Sequence, residues 1–231
     1  MEYMKIEMVL EFLQILNILL CLTAIVFGFK NLRANNFNKI LFLLPTTSLI
    51  QIFSSEILAY YTPSVIKNSD EIQHMIVATY SIIEFATITY FMCVTKNLKN
   101  SSKLIKIISS AILAIAFFEA LVIIIEKESM SLEYFNLIEG IFIISFNISD
   151  IIKQINKTSF FETFSESEWI AKSGILLSFL VFWPNSVIQK FIIQNIIIFY
   201  PYLFISNSIG YLILFTFLSL SFYASGKSRN N

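Results

Sequence analysis

The sequence predicts an all-α polytopic membrane protein, a single bundle of seven transmembrane helices. Three observations support this prediction: the composition, the number of long apolar segments and the distribution of lysine and arginine. Of the 231 residues, 56% are hydrophobic and only 14% are charged, whereas a soluble domain has about 25% charged residues. The mean hydropathy is +0.73. Because so few charges cannot cover a water-facing surface, most of the surface is expected to face lipid.

Seven segments are long and apolar enough to cross a bilayer, which takes about 20 helical residues for about 30 Å of hydrocarbon. The expected spans are residues 9–29, 40–61, 72–94, 104–126, 133–151, 169–188 and 204–224. The connections between them are short and contain no glycine-rich phosphate-binding or dinucleotide-binding motif. Residues 1–231 are therefore expected to form one domain without a separate catalytic module.

Some of these segments need individual justification. The first exceeds the 7–15 apolar residues of a secretory leader, and Glu2 and Glu7 replace the expected positive charges, so it is expected to be a retained span. Lys172, in the sixth segment, is expected to extend its ammonium group to the cytoplasmic interface. Pro184, near the outer end of the same segment, either kinks the helix or marks its end.

Residues 187–205 form a further apolar stretch that competes with the count of seven. Four polar residues interrupt it, namely Gln189, Lys190, Gln194 and Asn195, and Pro201 precedes its final run. We expect an outer interfacial helix, with Tyr200 and Tyr202 at the level of the headgroups. The alternative is an eighth span.

Lysine and arginine predict the orientation, because cytoplasmic loops are enriched in both. One set of connections and ends carries Lys30, Arg33, Lys39, Lys96, Lys99, Lys103, Lys106, Lys153, Lys157, Lys227 and Arg229; the other carries only Lys5, Lys67, Lys127 and Lys190. The protein is therefore expected in the inner membrane, with its N-terminus outside and its C-terminus in the cytoplasm.

Composition also excludes several function classes. The formal net charge is zero, which argues against the basic face that nucleic-acid binding requires. The chain has one histidine and two cysteines, too few for the usual zinc sites. No metal and no cofactor are predicted, and the two cysteines are expected to be small buried hydrophobic residues.

Glutamates inside the expected spans are the most informative feature. They are Glu11, Glu56, Glu84, Glu119 and Glu139. With the orientation above, Glu84 lies near the bilayer midplane and the others in its outer half, and no lysine or arginine is expected deep enough to pair with them. A charge at the bilayer centre costs about 2.5–3.5 kcal/mol on insertion scales. Glu84 is therefore expected to be neutral, with Tyr80, Thr87 or Tyr211 as its hydrogen-bond partner.

Helical periodicity predicts that several of these acids face the bundle interior. In the fifth segment the polar or small residues at three- and four-residue spacing are Asn136, Glu139, Gly140, Asn147 and Asp150; in the third they are Gln73, Tyr80, Glu84 and Thr87. Such a polar face avoids lipid, because lipid offers no hydrogen-bond partner. On the same reasoning, Phe142 is expected to face outward.

The expected ligand- or proton-binding residues are Glu84, Glu139, Glu119, Glu56, Tyr80, Asn136 and Tyr211. The alternative is that these groups only hold the helices together through hydrogen bonds, each worth about 0.6 kcal/mol on average in membranes.

Three short motifs in two of the segments resemble those of a known group of proteins. YSIIEF and TYFMC in the third segment, and WIAKSGILLSF in the sixth, resemble small seven-helix membrane proteins of unassigned function from Bacteroidota. The resemblance implies a seven-helix bacterial membrane protein and no particular activity.

The favoured function is a receptor or sensor with an outward-facing acidic pocket for a small molecule, read out by a separate cytoplasmic protein. The first alternative is a small-molecule or proton-coupled transporter, favoured by Glu84 and Pro184. The second is a membrane-embedded lipid enzyme using paired carboxylates as acid and base, for which the sequence offers no nucleophile–base pair. Enzymatic activity is therefore less favoured than binding or transport but stays open, and no nucleic-acid partner is expected.

Overall fold

The computed structural model describes residues 2–33, 36–61, 69–95, 102–126, 132–155, 167–191 and 200–230. Within these ranges every secondary-structure element is an α-helix, which confirms the all-α prediction. The helices are α1 (Glu2–Lys30), α2 (Asn36–Leu41), α3 (Leu43–Tyr61), α4 (Ser69–Val94), α5 (Ser102–Glu126), α6 (Glu133–Ile155), α7 (Ser167–Phe191) and α8 (Tyr200–Asn230).

Six stretches of these helices are long and apolar enough to cross a membrane, as expected for a multi-pass membrane protein. They are Met8–Lys30, Asn36–Ser55, Met75–Val94, Lys103–Val122, Tyr134–Lys153 and Pro201–Lys227. Helix α7 has 25 residues but does not belong to this group, and it carries buried Lys172, Ser178 and Asn185. Polar side chains that face other helices lower the hydropathy of a segment without exposing it to lipid.

The second expected span begins earlier than predicted and contains a break. Helices α2 and α3 are separated only by Phe42. Pro45 explains the position of the break, because a proline ring clashes with the carbonyl group four residues earlier, here that of Leu41. The backbone N–H of Phe42 still donates to the Asn38 carbonyl group at 2.9 Å.

The long helices form a closed ring in chain order. Each of α3 to α8 packs against its neighbours in the sequence, and α8 closes the ring by packing against α1. Helix α4 also contacts α6 across the ring. The interior faces of α4 and α6 therefore meet in the middle of the bundle, where both carry polar side chains.

Aromatic side chains fill much of the core between α4 and α6. The Phe85 ring centroid lies 5.5 Å from that of Phe135 and 5.9 Å from that of Phe142. The expectation that Phe142 faces outward is wrong, since this side chain is only 6% exposed. Because α6 contacts α4 across the ring as well as α5 and α7, its buried face is wider than its polar stripe.

Large apolar side chains also cover the outside of the bundle. Phe12 on α1, Ile107 and Phe117 on α5 and Tyr202 on α8 are each more than half exposed. Exposed apolar surface of this extent is unfavourable in water and normal against lipid tails. It agrees with the membrane location that the composition predicts.

The chain has five glycines, and each marks a close helix contact. A Cβ atom on Gly140 would meet the Trp183 ring, one on Gly174 would meet Phe217, and one on Gly210 would meet Phe182. Gly28 faces Phe222 and Phe42 in the same way, and Gly226 faces Asn31. Small residues let membrane helices approach closely, and at Gly140, Gly174 and Gly210 the space receives an aromatic side chain of the neighbouring helix.

Candidate functional site

A polar cavity lies between α1, α3, α4 and α8. Its volume is about 420 Å³, within the range of roughly 300–1,000 Å³ that is typical of small-molecule sites. Among the described residues, its walls are Gln14, Asn17, Ser48, Gln51, Ile52, Ser55, Val77, Phe204, Asn207, Ser208, Tyr211 and Phe215. Eight of these twelve residues carry an amide or hydroxyl group, although most of the wall surface that faces the cavity is apolar.

Two polar atoms in these walls are buried and have no hydrogen-bond partner among the described residues. Asn17 is 7% exposed; its Nδ2 atom donates to the Ser208 carbonyl group at 3.3 Å, while its Oδ1 atom is unpaired. The Ser55 hydroxyl group is also unpaired. A buried polar group without a partner costs about 1–3 kcal/mol. The Asn17 Oδ1 atom itself has almost no accessible surface, so a molecule in the cavity with an N–H or O–H donor would remove this cost only after a shift of the Asn17 side chain.

Two tyrosines form the boundary of the cavity toward the bundle centre. The Tyr80 hydroxyl group forms a hydrogen bond of 2.7 Å with the Ser48 hydroxyl group. The Tyr80 and Tyr211 ring centroids are 6.4 Å apart. The Tyr211 ring also packs on Phe182 of α7, with 4.8 Å between centroids. Tyr211 therefore contacts both the cavity and helix α7.

Two glutamates lie behind these tyrosines. Glu84 of α4 and Glu139 of α6 are 6% and 5% exposed, and the two carboxyl groups are close enough to interact electrostatically with each other. Glu84 also interacts with Tyr80 one turn earlier on α4, and both acids interact with Tyr211. Within the part of the chain that the structure describes, the Oε1 atom of each glutamate is buried without a hydrogen-bond partner.

The structure thus brings together four of the predicted site residues: Tyr80, Glu84, Glu139 and Tyr211. Of these, Tyr211 lines the cavity, and the two carboxyl groups are adjacent to it rather than in the described part of its wall. The predicted acidic pocket is therefore two connected features, a cavity with amide and hydroxyl walls and an acid cluster behind it.

The other predicted site residues lie elsewhere. The Glu119 carboxylate accepts the backbone N–H groups of Tyr134 and Phe135, at 2.9 Å each. It therefore caps the first turn of α6, where backbone N–H groups lack helical partners. Asn136 is half-buried on α6. The side chain of Glu56 lies outside the described residues, as do residues 192–199 of the stretch with the expected interfacial helix.

A buried ionic cluster was not predicted. Lys172 Nζ lies 2.5 Å from Asp150 Oδ2 and 2.7 Å from Glu168 Oε1. The Lys172 side chain is 1% exposed, so the expectation that it extends to the interface is wrong. The nitrogen also lies 5.3 Å from the Trp169 ring centroid. Two carboxylates and an aromatic face compensate for the loss of water around the ammonium group.

Part of this cluster has a signal in the sequence. Glu168 and Lys172 are four residues apart, the spacing that joins opposite charges on one helix, and Asp150 ends the polar face predicted on α6. The sequence does not indicate that α6 packs against α7, which is what brings Asp150 to Lys172. Pro184 lies inside α7, which continues to Phe191, so the helix does not end at this proline.

The cavity can hold a small molecule by hydrogen bonds from amides and hydroxyl groups, and the acid cluster behind it can hold and release protons. Both features use groups that α1, α3, α4, α6 and α8 bring together. No protein-family model, curated protein or solved structure matches this chain.

Proposed function

We propose that the protein is a membrane receptor or sensor that binds a small molecule in the cavity between α1, α3, α4 and α8. The observation that carries this proposal is the unpaired Oδ1 atom of Asn17, buried in the wall of a cavity of about 420 Å³. Natural proteins rarely leave a buried polar atom without a partner. A ligand with a hydrogen-bond donor at this position supplies one.

In this proposal α7 is the seventh transmembrane helix of an inner-membrane protein. It packs against α6 on one side and α8 on the other, both of which contain membrane-spanning stretches. Its polar residues face these neighbours rather than lipid. The excess of lysine and arginine at alternate ends supports an N-terminus outside and a C-terminus in the cytoplasm, an orientation in which the cavity lies in the outer half.

Helix α7 is suited to carry a signal from the cavity to the opposite end of the bundle. A ligand that displaces Tyr211 would press on Phe182, whose ring is 4.8 Å away. The other end of α7 is joined to α6 by Lys172 and Asp150. A movement of α7 would therefore change the surface at that end, which a separate cytoplasmic protein would recognise.

Glu84 and Glu139 favour a second candidate function, proton-coupled transport. Two buried carboxyl groups that interact cannot both be ionised at low cost, so loss or gain of a proton at one changes the other. Transport would require that a molecule in the cavity reaches the opposite side of the membrane. The two candidates therefore differ in whether the bound molecule moves.

The experiment compares the wild-type protein with Ser55→Phe, which fills the cavity, in nanodiscs with a library of polar metabolites. A receptor predicts compounds that raise the melting temperature of the wild type but not of the variant. Each such compound is then tested for counterflow in proteoliposomes, where uptake would favour the transporter. If no compound distinguishes the wild type from Ser55→Phe, the cavity is not a binding site.

A further inference from the structure

A second space opens on the outer surface of the bundle, between α3 and α4. It is a groove of about 530 Å³. Among the described residues, its walls are Thr47, Ile50, Gln51, Ser54, Ile72, Met75, Ile76, Thr79, Tyr80 and Ile83. Ile50, Met75 and Ile83 are exposed on the outside of the bundle, within or beside stretches that span the membrane. This groove therefore faces lipid and has mainly apolar walls.

The groove and the polar cavity meet at α3. Gln51 lines both spaces. Tyr80 lines the groove, and its hydroxyl group is hydrogen-bonded to Ser48, which lines the cavity. On α4, Val77 lines the cavity while the adjacent Ile76 lines the groove. The groove and the cavity are thus neighbours between α3 and α4, separated by Gln51 and by the hydrogen-bonded side chains of Tyr80 and Ser48.

We propose that the ligand is a single-chain amphiphile, with an uncharged hydrogen-bonding head in the cavity and one alkyl chain in the groove. This inference rests on the proposed function and names the ligand class of the same site. An alkyl chain matches the mainly apolar walls of the groove, whereas a polar head finds more amide and hydroxyl groups in the cavity. The head needs an N–H or O–H donor for Asn17 Oδ1. Such a molecule would enter sideways from the bilayer.

The test uses chain-bearing probes and their heads alone. The protein in phosphatidylcholine nanodiscs is irradiated with 1-decanoylglycerol that carries a diazirine in mid-chain, and adducts are located by mass spectrometry. Three chain-bearing competitors are each compared with their head group alone. They are 1-decanoylglycerol with glycerol, decyl glucoside with glucose, and decanoyl ethanolamide with N-acetylethanolamine. We expect adducts at Ile50, Ile76 and Ile83, removed by at least one chain-bearing competitor and not by its head alone.

Two variants and one control separate specific binding from contact with bulk lipid. Thr79→Trp fills the groove and should abolish the adducts, whereas Ser110→Trp, at an exposed hydroxyl residue of α5, should leave them unchanged. Asn17→Leu should raise the half-competing concentration about fivefold, the loss expected for one neutral hydrogen bond. Adducts spread equally over Ile107 and Phe117 of α5 would mean bulk lipid only and would overturn the proposal.

The failures of the two proposals have different signatures. The head groups alone could compete as well as the chain-bearing compounds, or could raise the melting temperature of the wild type but not of Ser55→Phe. Either result would mean that the cavity binds small polar molecules and that only the proposal of an amphiphilic ligand is wrong. If neither heads nor chain-bearing compounds distinguish the wild type from Ser55→Phe, the binding site itself is wrong.

Discussion

Lys172 Nζ of α7 lies 2.5 Å from Asp150 Oδ2 of α6, and both side chains are buried at 1% and 0% exposure. The pair joins two helices at the end of the bundle away from the N-terminus. Removing one partner of a buried ion pair leaves an uncompensated charge, which typically costs about 3–5 kcal/mol. This contact is therefore expected to be among the strongest determinants of how α6 and α7 dock.

Replacing Lys172 with Met should lower the free energy of unfolding in detergent by about 3–5 kcal/mol, measured by denaturant titration of circular dichroism. Asp150→Leu in the Lys172→Met background should restore part of the loss, because it removes the unpaired carboxylate. Lys153→Met, at an exposed lysine of α6, is the matched control and should change little. Equal stability of Lys172→Met and the wild type would show that the ion pair contributes nothing.

Glu84→Gln should leave folding and thermal stability unchanged or slightly improved. A protonated carboxyl group and a carboxamide have similar shapes and both donate a hydrogen bond, and the Glu84 Oε1 atom is buried without a partner. Glu84→Lys should be less stable than Glu84→Gln, because the new ammonium group would be buried and the buried carboxyl group of Glu139 would have to ionise to pair with it. The infrared carbonyl stretch between pH 5 and 8, compared with Glu84→Gln, tests whether Glu84 is neutral. An ionised Glu84 at neutral pH would contradict this expectation.

Gly210→Ala should destabilise the contact between α7 and α8, because the new Cβ atom would collide with the Phe182 ring. Overpacking of this kind typically costs about 1–3 kcal/mol, visible as a lower melting temperature. Phe182→Leu should recover part of the loss in the double variant. Ala114→Val adds methyl groups at an exposed position of α5 and should be tolerated. If Gly210→Ala is as stable as the wild type, the close approach of α7 and α8 is not tight.

Glu119→Ala should loosen the start of α6 rather than affect ligand binding. Its carboxylate accepts the N–H groups of Tyr134 and Phe135, and loss of a helix cap costs about 0.5–2 kcal/mol. Hydrogen exchange of these two amides should accelerate, while compounds that bind the wild type should bind the variant equally well. Glu11→Ala, at an exposed acid of α1, is the control and should change neither the exchange of these amides nor ligand binding. Loss of binding without faster exchange would place Glu119 in the binding site instead.

Topology reporters test the orientation. A fusion after Arg229 should report the cytoplasm, and an insertion within residues 62–71 should report the outside, because lysine and arginine concentrate at the ends assigned to the cytoplasm. A fusion within residues 96–101 serves as a second cytoplasmic control. A periplasmic signal after Arg229 would mean that the stretch 187–205 crosses the membrane as an eighth span.

The sequence by itself determined the class of protein and the position of its helices along the chain. Length and hydropathy are local properties of a segment, so α1, α4, α5, α6 and α8 overlap the expected spans closely. Periodicity also placed Tyr80 with Glu84 on one face of α4 and Glu139 on the inner face of α6. These predictions needed only the geometry of a single helix, which repeats every 3.6 residues.

Only the tertiary structure decided which helix faces which. Lys172 was expected at the interface because an isolated lysine is costly in a membrane, yet Asp150 of α6 and Glu168 of its own helix surround it. Phe142 was expected to face lipid, yet Phe85 of α4 packs against it. The cavity, too, exists only because α1, α3, α4 and α8 converge. Spacing fixes the direction of a side chain around its own helix axis, whereas the neighbour in that direction depends on how the whole ring closes.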